Sequence, residues 1–322
     1  MTILTALATL YERMKEAGEA RDNFTREKVS FELLINWQGN PVSLSDKRDH
    51  SGKNPRPAQI FVPFDLGASK RTSNLAANYF WDKSSYSLGV DQGEEEGPDG
   101  KKSVIPVQTS KTKKHHAEFT KINLEKTQGT NDPSLLAFRR FLEKWNPVQF
   151  AKLGFNMDAL GSNIVFRVDG DTDLSGNWRL LHENPAVLEL LSIAPEQEKS
   201  ICLVSGKESP LARLHLNVKG VEGTKSSGAP FVSFNEAAYE SFGKKQGDNA
   251  PVSQEAAFAY GTALNTLLAR DSGRNLRVGD ATVVFWAETS QRAAVQSIEI
   301  FKKYIHGQRG HVAESNRLKA AL

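Results

Sequence analysis

Residues 70–89, which read KRTSNLAANYFWDKSSYSLG, combine basic, amide, hydroxyl and aromatic side chains in one short segment. Lysine and arginine neutralise phosphate groups, and serine and threonine hydroxyls bind phosphates without charge. Asparagine can pair with a base edge, and aromatic rings can stack on bases or wedge between them. The same residue types also suit a helix with an aromatic core face and a solvated charged face. The residues alone leave both interpretations open.

A second basic segment follows at 101–126, where seven lysines and two adjacent histidines stand against two acids, Glu118 and Glu125. The end of the sequence, 301–322, is also basic, and an acidic run, Glu94–Glu96, precedes the lysine-rich segment. The formal net charge of the whole chain is only +3, with a pI of about 8.8. Any attraction to a polyanion must therefore come from local clusters of charge.

Two further segments have the partial form of ligand-binding loops. GVEGTKS at 220–226 is similar to a phosphate-binding loop, but Thr224 stands where that motif needs a glycine before Lys225. Residues 169–180 place three aspartates as a calcium loop does, but Leu174 and Leu180 replace the glycine and the glutamate that such a loop requires. A plain loop and a hairpin turn are therefore the favoured interpretations.

No set of residues assembles a nucleophile, a base and an oxyanion donor. His115 and His116 lack a partner at metal-ligand spacing, so phosphate contact or solvent exposure is favoured over metal binding. His215 lies in an apolar segment and is predicted to be buried and hydrogen-bonded. Cys202, the one cysteine, is predicted to lie in the core. We therefore expect a protein that is not an enzyme and needs no metal or other cofactor.

The composition predicts a folded protein in a reducing compartment. Hydrophobic residues make up 39% of the 322 residues, which is enough for a sizeable core. A lone thiol cannot form an internal disulfide. The N-terminus lacks a signal-peptide pattern, and no apolar stretch is long enough to cross a bilayer. We expect a cytoplasmic location.

Helical and strand patterns are mixed without regular alternation, which predicts an α+β fold with mixed antiparallel sheets, packed helices and many loops. Helices are predicted at 2–17, 72–81, 185–192, 253–270, from Asp132 to Pro147, and from Thr289 onward. Strands are predicted at 29–37, 59–62, 164–168, 200–204 and 281–287. Loops are predicted at 45–57, 90–103 and 219–250, with 90–103 as the least structured of them.

The sequence resembles the large subunit of the type I-C CRISPR surveillance (Cascade) complex. Segment 70–89 is similar to that family's Arg-Thr-Ser…Asn…Asp…Tyr-x-Leu-Gly pattern, and residues 202–268 and 279–288 (GDATVVFWAE) resemble it more strongly. The opening MTILTALATLYERM and the segment KVSFELLINWQG also fit. Members of the family are typically longer. The resemblance therefore implies the N-terminal portion of such a subunit, without the family's C-terminal helical region.

The resemblance implies a subunit that recognises the PAM, a short motif beside the target, and binds target double-stranded DNA while base pairing with a guide RNA reads the sequence. The implied partners are the guide RNA, the backbone and guide 5′-end subunits, the small subunit and a helicase-nuclease that cuts the target. Viral anti-CRISPR proteins are a further candidate partner. No membrane is implied.

The implied role, combined with residue chemistry, nominates several sets of site residues. Candidate DNA-backbone contacts are Lys70, Arg71, Thr72, Ser73, Lys111, Lys113, Lys114, His115 and His116. Candidate PAM base readers are Asn74, Asn78 and Lys83. A weaker candidate loop for guide RNA or DNA is Lys225, Ser226, Ser227 and Gly228, although a turn that only supports the fold explains it equally well. Lys244 and Lys245 are weaker still.

We expect residues 1–130 to form an N-terminal α+β region that carries the candidate PAM and DNA contacts. Residues 131–322 would form a second α+β region ending in a helix, unless both are one continuous N-terminal domain of a longer protein. Two other functions stay open. One is a protein-interaction scaffold subunit without DNA affinity of its own, and the other is a nuclease or nucleotide hydrolase with an unrecognised site.

Overall fold

The computed structural model describes residues 2–64, 75–97, 100–192, 199–225, 228–278 and 280–288. The described residues form two compact units, one from Met1–Ala20 with Gln197–Leu322 and one from Arg21–Glu196. The boundary expected at residue 130 falls inside the unit Arg21–Glu196, between two helices that pack together. The predicted division into 1–130 and 131–322 stays a prediction.

The unit Arg21–Glu196 mixes strands and helices. Its described strands are β1 (Phe24–Val29), β2 (Phe31–Ile35), β3 (Pro41–Asp46), β4 (Ala58–Pro63), β5 (Trp81–Lys83), β6 (Asp91–Glu96), β7 (Lys102–Val107) and β8 (Asn163–Val168). Its described helices are α2 (Ser84–Ser87), α3 (Ser110–Lys126), α4 (Pro133–Lys144), α5 (Gln149–Lys152) and α6 (Pro185–Ser192), with 3-10 turns at Met157–Ala159 and Leu181–Glu183.

A four-stranded sheet with the order β3-β2-β8-β5 is the centre of this unit. Strands β2 and β8 are parallel, and the two outer pairs are antiparallel. Side chains alternate between the faces of a strand, so one face of the sheet carries Phe31, Leu33 and Phe166. These buried residues pack with Phe119 of α3 and Phe138 of α4, and the Phe138 and Phe166 ring centroids lie 5.0 Å apart.

Helix α4 begins where the sequence predicts. The Asp132 carboxylate accepts from the backbone nitrogen of Leu135 at 3.0 Å, and Pro133 occupies the first turn. Both features stabilise a helix N-terminus. The turn between β2 and β3 lies against this helix at Gly39, where an added Cβ would stand 2.5 Å from the backbone nitrogen of Phe141. This close approach at Gly39 joins the turn between β2 and β3 to α4.

Strands β1 and β4 form a separate two-stranded antiparallel ribbon. Its Val29 and Val62 pack with Trp81 and Val165 on the sheet face away from α3 and α4. Strands β6 and β7 form a second antiparallel pair, in register from Asp91 with Val107 to Glu96 with Lys102.

The β6–β7 pair corrects the prediction that 90–103 is the least structured loop. The acidic run lies on β6, and Glu94 bonds Lys102 of β7 at 2.9 Å across the pair. Opposite charges on facing strands are favourable. The charged and glycine-rich composition suggested an irregular loop, but the segment forms a hairpin.

In the unit of Met1–Ala20 and Gln197–Leu322, helix α1 (Ile3–Glu16) packs against helix α7 (Gln254–Leu268). The core contains Leu7, Leu10 and Tyr11 of α1 with Tyr260 and Leu267 of α7. The described residues of this unit form three antiparallel pairs: β9 (Lys199–Ile201) with β10 (Glu208–Pro210), β11 (Asn217–Val218) with β12 (Ala229–Pro230), and β13 (Asn275–Val278) with β14 (Ala281–Val284). Short 3-10 turns lie at Ala237–Tyr239 and Gln246–Asn249.

The α+β prediction is confirmed, and so are the helices predicted near 2–17, 185–192 and 253–270. The helix predicted at 72–81 is wrong where the structure describes it, because 75–80 is not helical and Trp81 pairs with Val165 in the sheet. The helix predicted from Thr289 lies outside the described residues. In the described part of the chain, no helix has the length and apolar character that a bilayer crossing needs.

Candidate nucleic-acid interface

Helix α3 presents a lysine-rich face to solvent. Its buried face is formed by Thr112, Phe119 and Asn123. Four lysines are exposed and have no ion pair with any residue that the structure describes: Lys111, Lys113, Lys114 and Lys121. Lys126 is different, because its ammonium group lies 5.6 Å from the centre of the Tyr79 ring.

The lysines are concentrated at the N-terminus of α3. Thr109 caps this end: its hydroxyl accepts from the backbone nitrogen of Thr112 at 3.1 Å, and its own nitrogen donates to the Thr112 hydroxyl at 2.9 Å. The helix dipole makes this end electropositive and therefore disfavours cations there. Lys111, Lys113 and Lys114 do not stabilise the helix, but together with the dipole they favour an anion.

His115 and His116 fix α2 against α3. The His116 Nδ1 atom lies 2.8 Å from the carbonyl oxygen of Tyr86. A carbonyl oxygen only accepts, so this nitrogen carries the proton. The His115 ring stacks on the Tyr86 ring with a centroid separation of 4.0 Å and an angle of 10°. Both histidines are therefore partly buried, and their predicted contact with DNA stays a prediction.

Burial lowers the pKa of His116, because the charged imidazolium loses its water shell. The uncharged ring is the favoured form at neutral pH. Electrostatic attraction at this end of α3 therefore comes from the lysines. No group of three possible metal ligands among histidine, cysteine, aspartate and glutamate occurs in the described residues.

The segment leading into β5 is attached to α3 by Asn123. The Asn123 Oδ1 atom accepts from the backbone nitrogen of Phe80 at 2.8 Å, and Nδ2 donates to the carbonyl oxygen of Asn78 at 3.2 Å. The backbone nitrogen of Asn78 donates to Asp82 at 2.8 Å. These bonds place residues 78–80 of segment 70–89 beside α3, the helix that carries the lysines.

The two described candidates for base readout differ in exposure. Asn78 is 8% exposed, whereas Lys83 is exposed at the end of β5. The contact of Asn78 and Lys83 with PAM bases stays a prediction. The third base-readout candidate, Asn74, lies outside the described residues, and so do four of the candidate DNA-backbone contacts: Lys70, Arg71, Thr72 and Ser73.

The weaker candidate loop belongs to the other unit. Lys225 is exposed, and its carbonyl oxygen accepts from the nitrogen of Gly228 at 2.8 Å. Gly228 has φ 81°, and an added Cβ would stand 2.6 Å from the Val218 carbonyl oxygen. Gly228 therefore supports a turn against β11. Ser226 and Ser227 lie outside the described residues, and binding by this loop stays a prediction.

The aspartates at 169–180 serve the fold. Asp171 is buried, and its carboxylate accepts from Ser134 Oγ at 2.7 Å and from Arg179 Nε at 2.8 Å. Asp173 accepts from the backbone nitrogens of Ser175 and Asn177 within its own turn. The carboxylates do not converge, which supports the hairpin turn over the calcium loop.

Cys202 and His215 are both buried, as predicted. Burial raises the pKa of the Cys202 thiol, but hydrogen bonds from Ser205 and Ser253 outweigh this effect and lower it to about 7. His215 Nδ1 shares a hydrogen bond with the Tyr260 hydroxyl. Burial raises the pKa of Tyr260 to about 12. Cys202 and Tyr260 belong to the hydrophobic core of their unit.

Asn123 was not predicted as a site residue. The sequence contains a signal for it, because Phe119, Asn123 and Thr127 recur every four residues and therefore lie on one helix face. All three are fully buried. A polar residue on a buried face must find partners, and Asn123 finds them in the segment before β5.

The protein is therefore of the α+β class, and the exposed lysine face of α3 lies on the helix that holds residues 78–80. Residues 7–322 match the family model described as CRISPR-associated protein (Cas_Csd1), and the chain belongs to this family. This match confirms the CRISPR association that the resemblance implied. No curated protein matches the chain significantly.

Proposed function

We propose that this chain is the non-catalytic large subunit of a type I-C CRISPR Cascade effector. In this role it recognises the PAM, binds target double-stranded DNA and recruits the helicase-nuclease in antiviral defence. The CRISPR-associated family supports this role. The observation that carries the DNA-binding part is the exposed face of α3, with its four lysines that pair with no acid in the described residues.

The chemistry of that face suits the phosphates of DNA. Lysine ammonium groups neutralise phosphates and release condensed counterions, so the affinity falls as salt rises. Lys111, Lys113 and Lys114 add their charge to the positive end of the helix dipole. Such contacts position a duplex without reading its sequence. PAM readout is proposed for segment 70–89, whose described end is held against α3.

The partners proposed with this role follow from the type I-C assignment. They are the guide RNA, the backbone and guide 5′-end subunits, the small subunit and the helicase-nuclease, with viral anti-CRISPR proteins as a further candidate. Cutting of the target belongs to the recruited enzyme in this proposal. We also propose a cytoplasmic location, where guide RNA and invading DNA meet.

Fluorescence anisotropy with a labelled DNA duplex over a salt series tests the DNA-binding part. The test variant is Lys113→Gln/Lys114→Gln, and the matched control is Lys152→Gln/Lys207→Gln, which removes two exposed lysines elsewhere. Each lost phosphate contact reduces the slope of log Kobs against log salt by about 0.9. We expect a loss of about two units for the test variant and the wild-type slope for the control. Equal slopes in all three chains would contradict the role of α3.

PAM recognition requires a separate selection experiment. A duplex pool randomised at the positions beside the target is bound by the chain in the assembled complex, and the retained fraction is sequenced. We expect enrichment of one short motif, and its loss in Asn74→Ala/Asn78→Ala. Retention of random sequences by the wild-type complex would contradict PAM recognition by this subunit.

A scaffold subunit without its own DNA affinity is the second candidate function. It is favoured by exposed apolar side chains in the unit of Met1–Ala20 and Gln197–Leu322, above all Phe242 at 99%, Leu203 at 69% and Ile201 at 64%. Large exposed apolar groups often mark protein contacts. A chain that joins the complex but shows no duplex affinity, alone or assembled, would favour this candidate.

A further inference from the structure

The β1–β4 ribbon has a covered face and an open face. Val29 and Val62 point toward the sheet and are fully buried. The neighbouring positions on the strands point the other way. They are the exposed residues Arg26, Lys28 and Gln59. This face carries the two cations together with the Phe61 ring and, at the end of the ribbon, the buried Phe24.

Arg26 is held in a fixed orientation on this face. It lies opposite Phe61 in the register of the ribbon, and its guanidinium carbon lies 4.6 Å from the centre of the Phe61 ring. A cation over an aromatic ring is attracted by the ring's quadrupole. The stack leaves the edge of the planar guanidinium group available to an acceptor.

The loop that enters β4 adds further cations. Asp49 and Arg56 close it with two backbone hydrogen bonds, of 2.8 and 2.9 Å. Ser51 donates to the Asp49 carboxylate through its backbone nitrogen at 2.9 Å. Lys53 lies exposed at the tip of the loop, and Arg56 leads into the strand. The loop therefore presents its cations in an ordered backbone.

Asn163 connects the ribbon to the sheet beside a further lysine. Its Nδ2 atom donates to the carbonyl oxygen of Lys28 at 2.8 Å. Asn163 is also the direct cross-strand partner of Lys83, and such partners project from the same face of a sheet. Lys28 and Lys83 therefore both lie next to Asn163.

Three lysines on or beside this surface have no acidic partner in the described residues. Lys28, Lys53 and Lys83 are exposed and have no ion pair with a described acid. Lys47 differs, because it lies 3.4 Å from the buried Glu32 carboxylate. The acid of the loop, Asp49, accepts from Ser51 within the loop, so these lysines keep their charge for an anion. A polyanion such as a nucleic-acid backbone can neutralise these lysines.

We propose that the open face of the β1–β4 ribbon and the 47–57 loop bind the sugar–phosphate backbone of double-stranded DNA. This proposal rests on the proposed function and adds a second contact surface to it. Lys28 and Lys53 bind phosphate groups by charge, and Arg26 offers its planar donor edge to phosphate oxygens. The surface is separate from the α3 face, because it lies on the opposite side of the sheet.

The test is a salt series of duplex binding with Lys28→Gln/Lys53→Gln in the full chain. We expect the slope of log Kobs against log salt to fall by about two units, since two phosphate contacts are lost. The control Lys152→Gln/Lys207→Gln changes the net charge equally and should keep the wild-type slope. Lys28→Arg/Lys53→Arg keeps both charges and should also retain the slope, and all variants should show the wild-type circular dichroism spectrum.

The outcomes separate this proposal from the proposed function. If the wild-type chain binds duplex DNA and Lys113→Gln/Lys114→Gln reduces the slope, but Lys28→Gln/Lys53→Gln does not, the ribbon proposal alone is overturned. An equal loss of slope in the control pair would attribute the effect to net charge and would overturn it too. Absence of duplex binding by the wild-type chain would overturn DNA binding on both surfaces.

Discussion

The buried amide of Asn123 on α3 holds the backbone of Phe80, accepting from its nitrogen at 2.8 Å. The same amide donates to the carbonyl oxygens of Asn78 at 3.2 Å and Phe119 at 2.9 Å. Phe80 has φ 64°, a region that non-glycine residues seldom adopt. One side chain thus determines the path of the chain into β5 beside the lysine-bearing helix.

Replacing Asn123 with leucine should destabilise the protein by about 3 kcal/mol. The change leaves the buried nitrogen of Phe80 and the carbonyl oxygen of Asn78 without a partner, and each such group costs roughly 1–3 kcal/mol. Urea denaturation followed by tryptophan fluorescence measures the difference. Gln128→Ala, an exposed change just beyond the helix, should stay within about 0.5 kcal/mol. Wild-type stability for Asn123→Leu would contradict the role of the amide.

His182 should make the stability depend on pH. Burial lowers its pKa from 6.5 to about 3, and the charge of Arg21 adds to the effect. The unfolded chain takes up a proton near pH 6.5, but the folded chain does so only near pH 3. Between these values the free energy of unfolding falls by about 1.4 kcal/mol per pH unit as the pH is lowered.

His182→Leu should remove this part of the pH dependence. Urea denaturation at pH 7.5, 6, 5 and 4 compares the two chains, starting where neither state is protonated. We expect the profile of the variant to be flatter between pH 6 and 4 by about 1.4 kcal/mol per unit. If stability fell with pH equally in the wild-type chain and in His182→Leu, His182 would have the same pKa in the folded and unfolded states.

Replacing Asp171 with alanine should destabilise the protein by about 3 kcal/mol. The buried carboxylate holds Arg179 and Ser134, and removing one partner of a largely buried ion pair leaves the other uncompensated. Asp169→Asn, an exposed change two positions earlier, is the matched control and should stay within about 0.5 kcal/mol. Chemical denaturation measures both. If Asp171→Ala were as stable as the wild-type chain, the hydrogen bonds of Asp171 would not stabilise the unit.

Calcium should leave the melting temperature unchanged, within about 1 °C, when it is added in millimolar amounts or removed with a chelator. A bound ion at a hundred times its Kd would stabilise the fold by about 2.7 kcal/mol, a shift of several degrees. Asp171 is already paired, and Asp173 accepts from its own turn. A rise of several degrees in differential scanning calorimetry would restore the calcium-loop interpretation.

Local patterns in the sequence predicted the elements that depend on local chemistry. The helix that begins after Asp132, the helix at 253–270 and the strand at 164–168 are examples, because capping, periodicity and apolar runs act over a few residues. The lysine-rich segment was also visible. The helix expected at 72–81 was wrong where it is described, since sheet pairing of Trp81 overrides a weak helical pattern.

The sequence by itself determined the α+β class, the clusters of charge and, through residues spread along the whole chain, the CRISPR-associated family. Only the tertiary structure decided which charged residues share a surface. Lys28 and Lys83 are far apart in sequence, and both lie next to Asn163, which pairs with Lys83 across the sheet and donates to the carbonyl oxygen of Lys28. Such contacts depend on packing between distant segments, which no local spacing encodes.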